Sequence, residues 1–254
     1  RQGHLAEIAK GATSPELEFL FSEGRERTFQ PGEHLITEGE RTDYFYDVLD
    51  GTVALARNGR DGRRQILSFL GSRQFLGASS TERYPNLATA LTEVRAICYP
   101  RNALERVLET TPGFASEFRT VLPRILESAH DHVYTIGQRS AVERVASFLL
   151  YLRANQARFD PVGPRDKSTH IELPMTRLDI ADFLGLTIET VSRAFSSLKR
   201  SGIIAFKDSH SCEIVNLDRI RELGGREDFT EHRGRACSSP VRLEKVKGLS
   251  SQPA

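Results

Sequence analysis

The chain of 254 residues is poor in cysteine: Cys98, Cys212 and Cys237 stand far apart, with no CxxC spacing. That scarcity excludes a disulfide framework of the kind that staples small secreted domains, and it suits a reducing cytoplasm, the expected location. Long apolar runs are missing too. No stretch approaches the roughly 20 apolar residues that cross a bilayer, so neither a membrane-spanning helix nor a membrane partner is expected. The first residues, RQGHLAEIAKGATS, lack the apolar centre of a signal peptide, and a chain that starts at arginine is expected to lack some native N-terminal residues. Excess charge of either sign is absent: 35 Lys and Arg against 34 Asp and Glu leave a net charge of +1. A nucleic-acid partner therefore has to be argued from local geometry and not from bulk attraction. Also absent are a phosphate loop, a nucleophile elbow and a cluster of metal ligands; His130 and His132, two apart on a helix, fall on different faces. These absences argue against an enzyme and against a metal or cofactor. What is present, 39% hydrophobic and 27% charged residues, suits a globular chain of one large or two modest domains.

After an N-terminal segment, residues 1–19, the pattern over residues 20–111 is strand-like. Short alternating stretches are punctuated by Pro31-Gly32, Glu38-Gly39, Asp50-Gly51, Asn58-Gly59 and Asp61-Gly62, and glycine takes the positive φ of tight turns at little cost. FYDVLDGTVAL is the clearest pair of strands around a turn. Many short strands at this spacing predict an antiparallel sandwich or barrel.

From residue 112 to 138 the period changes to threes and fours: Phe114, Phe118, Val121, Leu122, Ile125, Leu126, Ala129, Val133 and Ile136. A long helix with so narrow a stripe is expected to bury it against a second helix, as in a dimer seam, the alternative being packing on its own domain. Pro123 should kink this helix or break it. Residues 139–225 form a further unit, opened by the amphipathic RSAVERVASFLLYLRANQ. The loop RFDPVGPRDKSTH and a short strand at IELP follow. Residues 226–254 show little periodicity and are expected to be a flexible tail. No internal repeat is evident.

Within the last unit, TRLDIADFLGLTIETVSRAFSSLKRSG reads as two short helices hinged at Gly185. Ile180, Ala181, Leu184, Leu186, Val191, Ala194, Phe195 and Leu198 form the apolar set, with small Ala181 where two helices cross closely. This arrangement predicts a helix-turn-helix, whose second helix enters the DNA major groove by its N-terminal part. IIAFKDSHSCEIVNL supplies two strands after it, making the unit winged; a plain helical hairpin is the alternative. On the opposite face stand Glu189, Ser192 and Arg193. An arginine can donate two parallel hydrogen bonds to guanine, a glutamate can accept from cytosine, and a serine is short enough to let the helix sit deep. Arg177, Thr187, Thr190, Lys199, Arg200 and Lys207 are the candidates for phosphate contacts. Seven basic and six acidic residues lie between Arg165 and Asp208, so non-specific attraction to DNA is expected to be modest.

These parts together resemble the Crp/Fnr superfamily of transcription regulators. The resemblance runs from about Leu20 to Gly225, and FQPGEHLITEGE, YDVLDGTVAL, RSAVERVASFLL and LPMTRLDIADFLGLTIETVSRAFSSLKRSGII carry it. It implies an α+β fold: a cyclic-nucleotide-binding-type β roll (a jelly roll), a long dimerisation helix and a C-terminal winged helix-turn-helix. The E-x-x-S-R run at Glu189–Arg193 is similar to the Fnr and FixK branch, which implies a two-fold operator of the TTGAT…ATCAA type.

Departures from the family pattern narrow the expectation. Members that bind cyclic AMP carry a glutamate after the cassette glycine and then an arginine for the cyclic phosphate. Here Ala78 follows Gly77, and Asn86-Leu87-Ala88 stands near the arginine's place, leaving Arg73 or Arg83 as substitutes. Iron–sulfur members use N-terminal cysteines plus an internal one; the N-terminal stretch has none, and Cys98 falls one position from the internal ligand. Thr176 occupies the place of a redox-active cysteine found in some FixK-like relatives, and Cys212 is the remaining oxidisable thiol. No haem signature is present. The resemblance thus implies a homodimeric cytoplasmic activator of genes for low-oxygen respiration or nitrogen metabolism, with double-stranded DNA and RNA polymerase as partners. The missing motifs lead to the expectation that it works without a cofactor or small-molecule ligand. The alternatives are an effector sensor with a cyclic nucleotide, haem or other ligand in the β roll, and a protein-interaction module that does not bind DNA.

Overall fold

The structure, a computed structural model, describes residues 3–10, 12–158 and 169–225. The expected tail with Cys237, and residues 159–168 of the charged loop, lie outside the described residues.

Strands β1 (Arg25–Phe29), β2 (His34–Ile36), β3 (Tyr44–Asp50), β4 (Val53–Asn58), β5 (Arg64–Leu70), β6 (Phe75–Leu76), β7 (Leu87–Ala90) and β8 (Val94–Pro100) form two antiparallel four-stranded sheets. Their orders are β1-β8-β3-β6 and β2-β7-β4-β5. Alternation decides what faces inward: Val94, Ala96 and Cys98 of β8 join Phe29, Tyr46, Val48, Val53 and Ala88 in one core between the sheets. Burial pushes the Cys98 thiol up to about 11 and packs it as a small hydrophobe of this core. The β3–β4 turn needs glycine. Gly51 has φ +88°, and a Cβ there would stand 2.2 Å from the Glu93 carbonyl oxygen.

Helices flank the roll. The strand-like stretch expected from residue 20 gives way to α2 (Pro15–Glu23) at one end and α3 (Arg101–Thr110) at the other. Ser14 caps α2 by accepting from Leu17 N, with Pro15 at the first helical position. The N-terminal segment is no appendage: Leu5 of α1 (His4–Ile8), Leu17 and Leu20 are buried in a second core with Phe45, Tyr99, Leu104 and Val107.

Asp47 of β3 anchors α1. It is fully buried, and its Oδ2 accepts from Leu5 N at 2.8 Å. Burial raises the Asp47 carboxyl to about 6, while burial and the Arg73 guanidinium lower His4 to about 4. The two groups oppose each other in pH. Asp47 contributes stability below its unfolded pKa that is lost as pH rises through about 6; His4 contributes stability above about 6.5 that is lost as pH falls toward 4. Asp47→Asn removes only the first of these contributions. The variant should therefore gain stability relative to the unaltered protein as pH rises from about 4 to 6. Urea midpoints measured across that range check it; a difference that stays constant or moves the other way contradicts it.

The helix expected over residues 112–138 is two helices, α4 (Pro112–Arg119) and α5 (Val121–Gln138), joined at Thr120. The break expected from Pro123 falls just before it: the proline has no N–H for the Arg119 carbonyl, and α4 ends at that residue. Pro123 itself occupies the first turn of α5, where backbone N–H groups have no intrahelical partner and a missing donor costs nothing. The break turns the two aromatic residues of the expected seam elsewhere. Phe114 is fully buried in the N-terminal core, and Phe118 stacks on it at 6.0 Å and on Phe75 at 5.9 Å. Both serve their own domain and leave the seam. Phe114→Ala should cost about 3–5 kcal/mol of stability, read by urea unfolding; a loss no larger than that of a surface substitution would contradict this placement.

On α5 the stripe is uncovered. Leu122, Ile125, Leu126 and Val133 are 52–70% exposed, Ala129 is exposed, and Val121 and Ile136 are half-buried.

The C-terminal unit follows: α6 (Ala141–Arg158), β9 (His170–Glu172), α7 (Arg177–Leu184), α8 (Ile188–Arg200), β10 (Ile204–Phe206), β11 (Ser211–Ile214) and α9 (Leu217–Gly224). The strands form one antiparallel sheet in the order β10-β11-β9. Against α9 the backbone of α6 comes close: a Cβ on Gly224 would lie 3.0 Å from Ala146 C and Ser147 N. The core of this unit, with Phe148, Leu149, Ile180, Leu184, Val191 and Leu198, also takes in Ala54, Ala56, Ile66 and Phe69 of β4 and β5. The two domains therefore share buried apolar surface.

Candidate nucleic-acid interface

Local chemistry dictates how α7 and α8 are held. Thr176 and Asp179 form a capping box: Thr176 Oγ1 accepts from Asp179 N at 3.1 Å, and Asp179 Oδ2 accepts from Thr176 N at 2.9 Å. The helix stops at Gly185 in a left-handed conformation, φ +62°, as the hinge reading expects. Leu186 N then donates back to Ala181 O at 3.0 Å, closing the turn. Thr187 caps α8 by accepting from Thr190 N at 3.2 Å.

On α8 the apolar residues Val191, Ala194, Phe195 and Leu198 are buried. Glu189, Ser192 and Arg193 are exposed together and lie at helical spacings of three and four, hence on one face. Ser196 continues that face; sequence reading passed over it because serine is unremarkable in a solvated helix. The Glu189 carboxyl is held below the usual range by its own backbone N–H, then by the Thr187 hydroxyl and the nearby Arg193 charge. Arg193 donates to Thr190 Oγ1 at 3.4 Å. The acid and the guanidinium thus stand exposed near the helix N-terminus. An α-helix N-terminus carries a partial positive charge, which adds to the attraction for phosphate.

The expected phosphate-contacting residues divide. Thr187 is exposed and Thr190 half-buried, both on the first turn of α8; Lys199 and Arg200 are exposed in its last turn, about 15 Å along the axis from Glu189. Lys207 is exposed beside the wing turn, where Asp208 Oδ1 accepts from His210 N at 2.7 Å. Arg177 departs from expectation. Its guanidinium lies 3.8 Å from the Phe195 ring centroid and 5.2 Å from that of Phe206, and burial lowers its pKa. A planar cation stacked on two aromatic faces ties α7 to α8 and β10, which removes it from the phosphate contacts. Cys212 is buried on β11 with its thiol pushed up to about 11, chiefly by burial, so oxidation there is disfavoured.

The two arginines left as candidates for a cyclic phosphate differ in their surroundings. Arg73 is paired with Glu7 of α1, and Arg83 donates to the Gly39 carbonyl at 2.7 Å. Thr81 accepts and donates within the same loop, its hydroxyl reaching Arg83 O at 2.6 Å, and Arg101 donates to Thr81 O at 3.0 Å.

A double-sheet roll joined through helices to a winged helix-turn-helix defines an α+β DNA-binding-type protein. Comparison with known proteins agrees: residues 26–111 match the cyclic nucleotide-binding domain family and residues 143–223 the Crp-like helix-turn-helix domain family. The chain is 39% identical over 182 residues to the nitrogen fixation regulation protein FixK of Bradyrhizobium diazoefficiens, covering 72% of this chain and 75% of that one. It is 36% identical over 197 residues to FixK of Rhizobium meliloti, covering 77% and 85%. Among solved structures, FixK2 from Bradyrhizobium japonicum superimposes with a TM-score of 0.72 at 31% identity, covering 80% of this chain and 98% of that one. The chain belongs to the Crp/Fnr family of transcription regulators.

Proposed function

We propose that this protein is a FixK-type transcription activator that binds as a homodimer to a two-fold TTGAT…ATCAA-type promoter site. Its targets are genes of low-oxygen respiration or nitrogen metabolism, and it recruits RNA polymerase in the cytoplasm. The observation that carries this reading is the division of α8: its apolar residues are buried while Glu189, Ser192 and Arg193 stand exposed on one face near the N-terminus. Arg193 reads guanine through O6 and N7, and Glu189 accepts from cytosine N4. Thr187 and Thr190 at the helix start, with Lys199, Arg200 and Lys207, hold the phosphates. The exposed stripe of Leu122, Ile125, Leu126, Ala129 and Val133, flanked by Val121 and Ile136, supports α5 as the dimer seam.

The β roll acts without a small-molecule effector, and cellular abundance sets activity. The pairing of Arg73 with Glu7 supports that reading over a cyclic-nucleotide sensor. Fluorescence anisotropy with a TTGAT…ATCAA duplex and a scrambled duplex, at a fixed 0.15 M salt, tests the assignment. Specific binding should exceed non-specific by about 10³-fold or more and need no added nucleotide. Equal affinity for the two duplexes contradicts the reading.

A further inference from the structure

The β4–β5 ribbon reaches across to the helix-turn-helix. Arg64, the first residue of β5, donates through Nη2 to Asp179 Oδ1 at 2.5 Å and through Nε to Asp182 Oδ2 at 2.8 Å. Both carboxylates belong to α7, more than a hundred positions away in sequence. Next to it, Gln65 Nε2 donates to the Phe183 carbonyl at 3.1 Å. The Phe183 ring is in turn surrounded by Phe69 of β5 at 5.2 Å, Phe148 and Tyr151 of α6 at 5.6 and 5.7 Å, and His132 of α5 at 4.0 Å. Helix α7 is therefore held by the β roll and by the dimer-seam helix at once.

The bridge is built to set direction. A guanidinium is a rigid fork, and one fork on two carboxylates fixes both the position and the rotation of α7. The Asp179 and Asp182 side chains are 8% and 20% exposed, so solvent screens this contact less than a surface pair. Asp179 is shared: Oδ2 serves the capping box of α7 and Oδ1 takes Arg64. The bridge grips α7 alone and leaves Glu189, Ser192 and Arg193 on α8 uncovered, so it aims the reading face and does not mask it. Only Arg139 and Ser140 separate α5 from α6, and without a clasp that junction is where the domain could swing.

We propose that Arg64, with Asp179 and Asp182, is a positioning clasp that presets the angle of the recognition helix relative to the dimer helix, so that a dimer matches one half-site spacing. The proposal rests on the operator-binding reading above. Its physical content is preorganisation: a clasped dimer engages both half-sites without first ordering its domains, whereas an unclasped one must freeze that motion on binding. One half-site alone makes no such demand.

The test uses the full chain and its Arg64→Gln and Asp182→Asn variants, each checked for dimerisation by sedimentation. Anisotropy is read on three duplexes: two half-sites, one half-site with the other scrambled, and two half-sites with one extra base pair between them. The variants should lose about tenfold on the two-half-site duplex, keep the one-half-site affinity within about twofold, and discriminate less against the extra base pair. Equal losses on the one- and two-half-site duplexes indicate general destabilisation and overturn the proposal. So does an unchanged profile, and so does tighter operator binding, which marks the clasp as a restraint. If the unaltered protein fails to prefer the operator over a scrambled duplex, the operator reading falls and takes the clasp's role with it.

Discussion

Arg193→Ala is expected to abolish discrimination at the guanine of each half-site while leaving the fold intact. Arg193 is exposed and donates to Thr190 Oγ1 at 3.4 Å, so its removal disturbs no core. A bidentate arginine–guanine contact is worth about 1–3 kcal/mol. A two-fold dimer carries the substitution twice, so the operator should be bound about 2–6 kcal/mol more weakly, roughly 30-fold to 2 × 10⁴-fold. Binding to a scrambled duplex, which depends on phosphate contacts, should change far less. The contrast with Lys199→Ala sharpens the test. That change should weaken all duplexes alike and reduce the salt dependence by about one unit of slope. Equal affinities of the unaltered and Arg193→Ala proteins for specific and scrambled duplexes would remove Arg193 from the reading face.

Ile125→Glu is the second change of large effect. Ile125 is 56% exposed in the single chain and lies among Leu122, Leu126, Ala129 and Val133 on the uncovered stripe of α5. If two copies pack there, the two-fold axis brings both new carboxylates into one apolar seam. Each then pays desolvation without a partner, while two isoleucines lose about 1.5–3 kcal/mol of burial each. Sedimentation at micromolar concentration should show monomers. Operator affinity should fall by about 10²–10⁴, because the second half-site is no longer offered at a high effective concentration. The stability of the single chain should barely change, since the position is exposed within it. A variant that still sediments as a dimer places the seam elsewhere.

Much of this was legible in the residues because each signal carried its own geometry. Gly51 and Gly185 sit at the turns their sequences announce, and both have the positive φ that only glycine takes without cost. The inward alternation of β8 and the buried set of α8 followed the expected periods. What was not legible depends on partners distant in sequence. Phe114 and Phe118 share the threes-and-fours spacing of α5, yet the break at Thr120 turns them onto the N-terminal core. Periodicity tells that a residue is buried, not against what. Helix α3 hid among strands because its charged residues diluted a short apolar set of Ala103, Leu104 and Val107. Arg177 read as a phosphate contact, since stacking on Phe195 and Phe206 requires knowing that β10 returns beside α7. Arg64 is one of several arginines near a hairpin tip, and only the folded chain brings it to Asp179 and Asp182.

The most direct measurement is a guanine-methylation interference footprint on a TTGAT…ATCAA promoter fragment, at fixed salt and with reductant. Methyl groups at N7 of the guanine in each half-site should block binding, at positions about one helical turn apart, roughly 34–36 Å, and Arg193→Ala should lose that sensitivity. Binding that tolerates methylation at both guanines, or interference confined to a single patch, would contradict a paired recognition helix that reads base edges through Arg193.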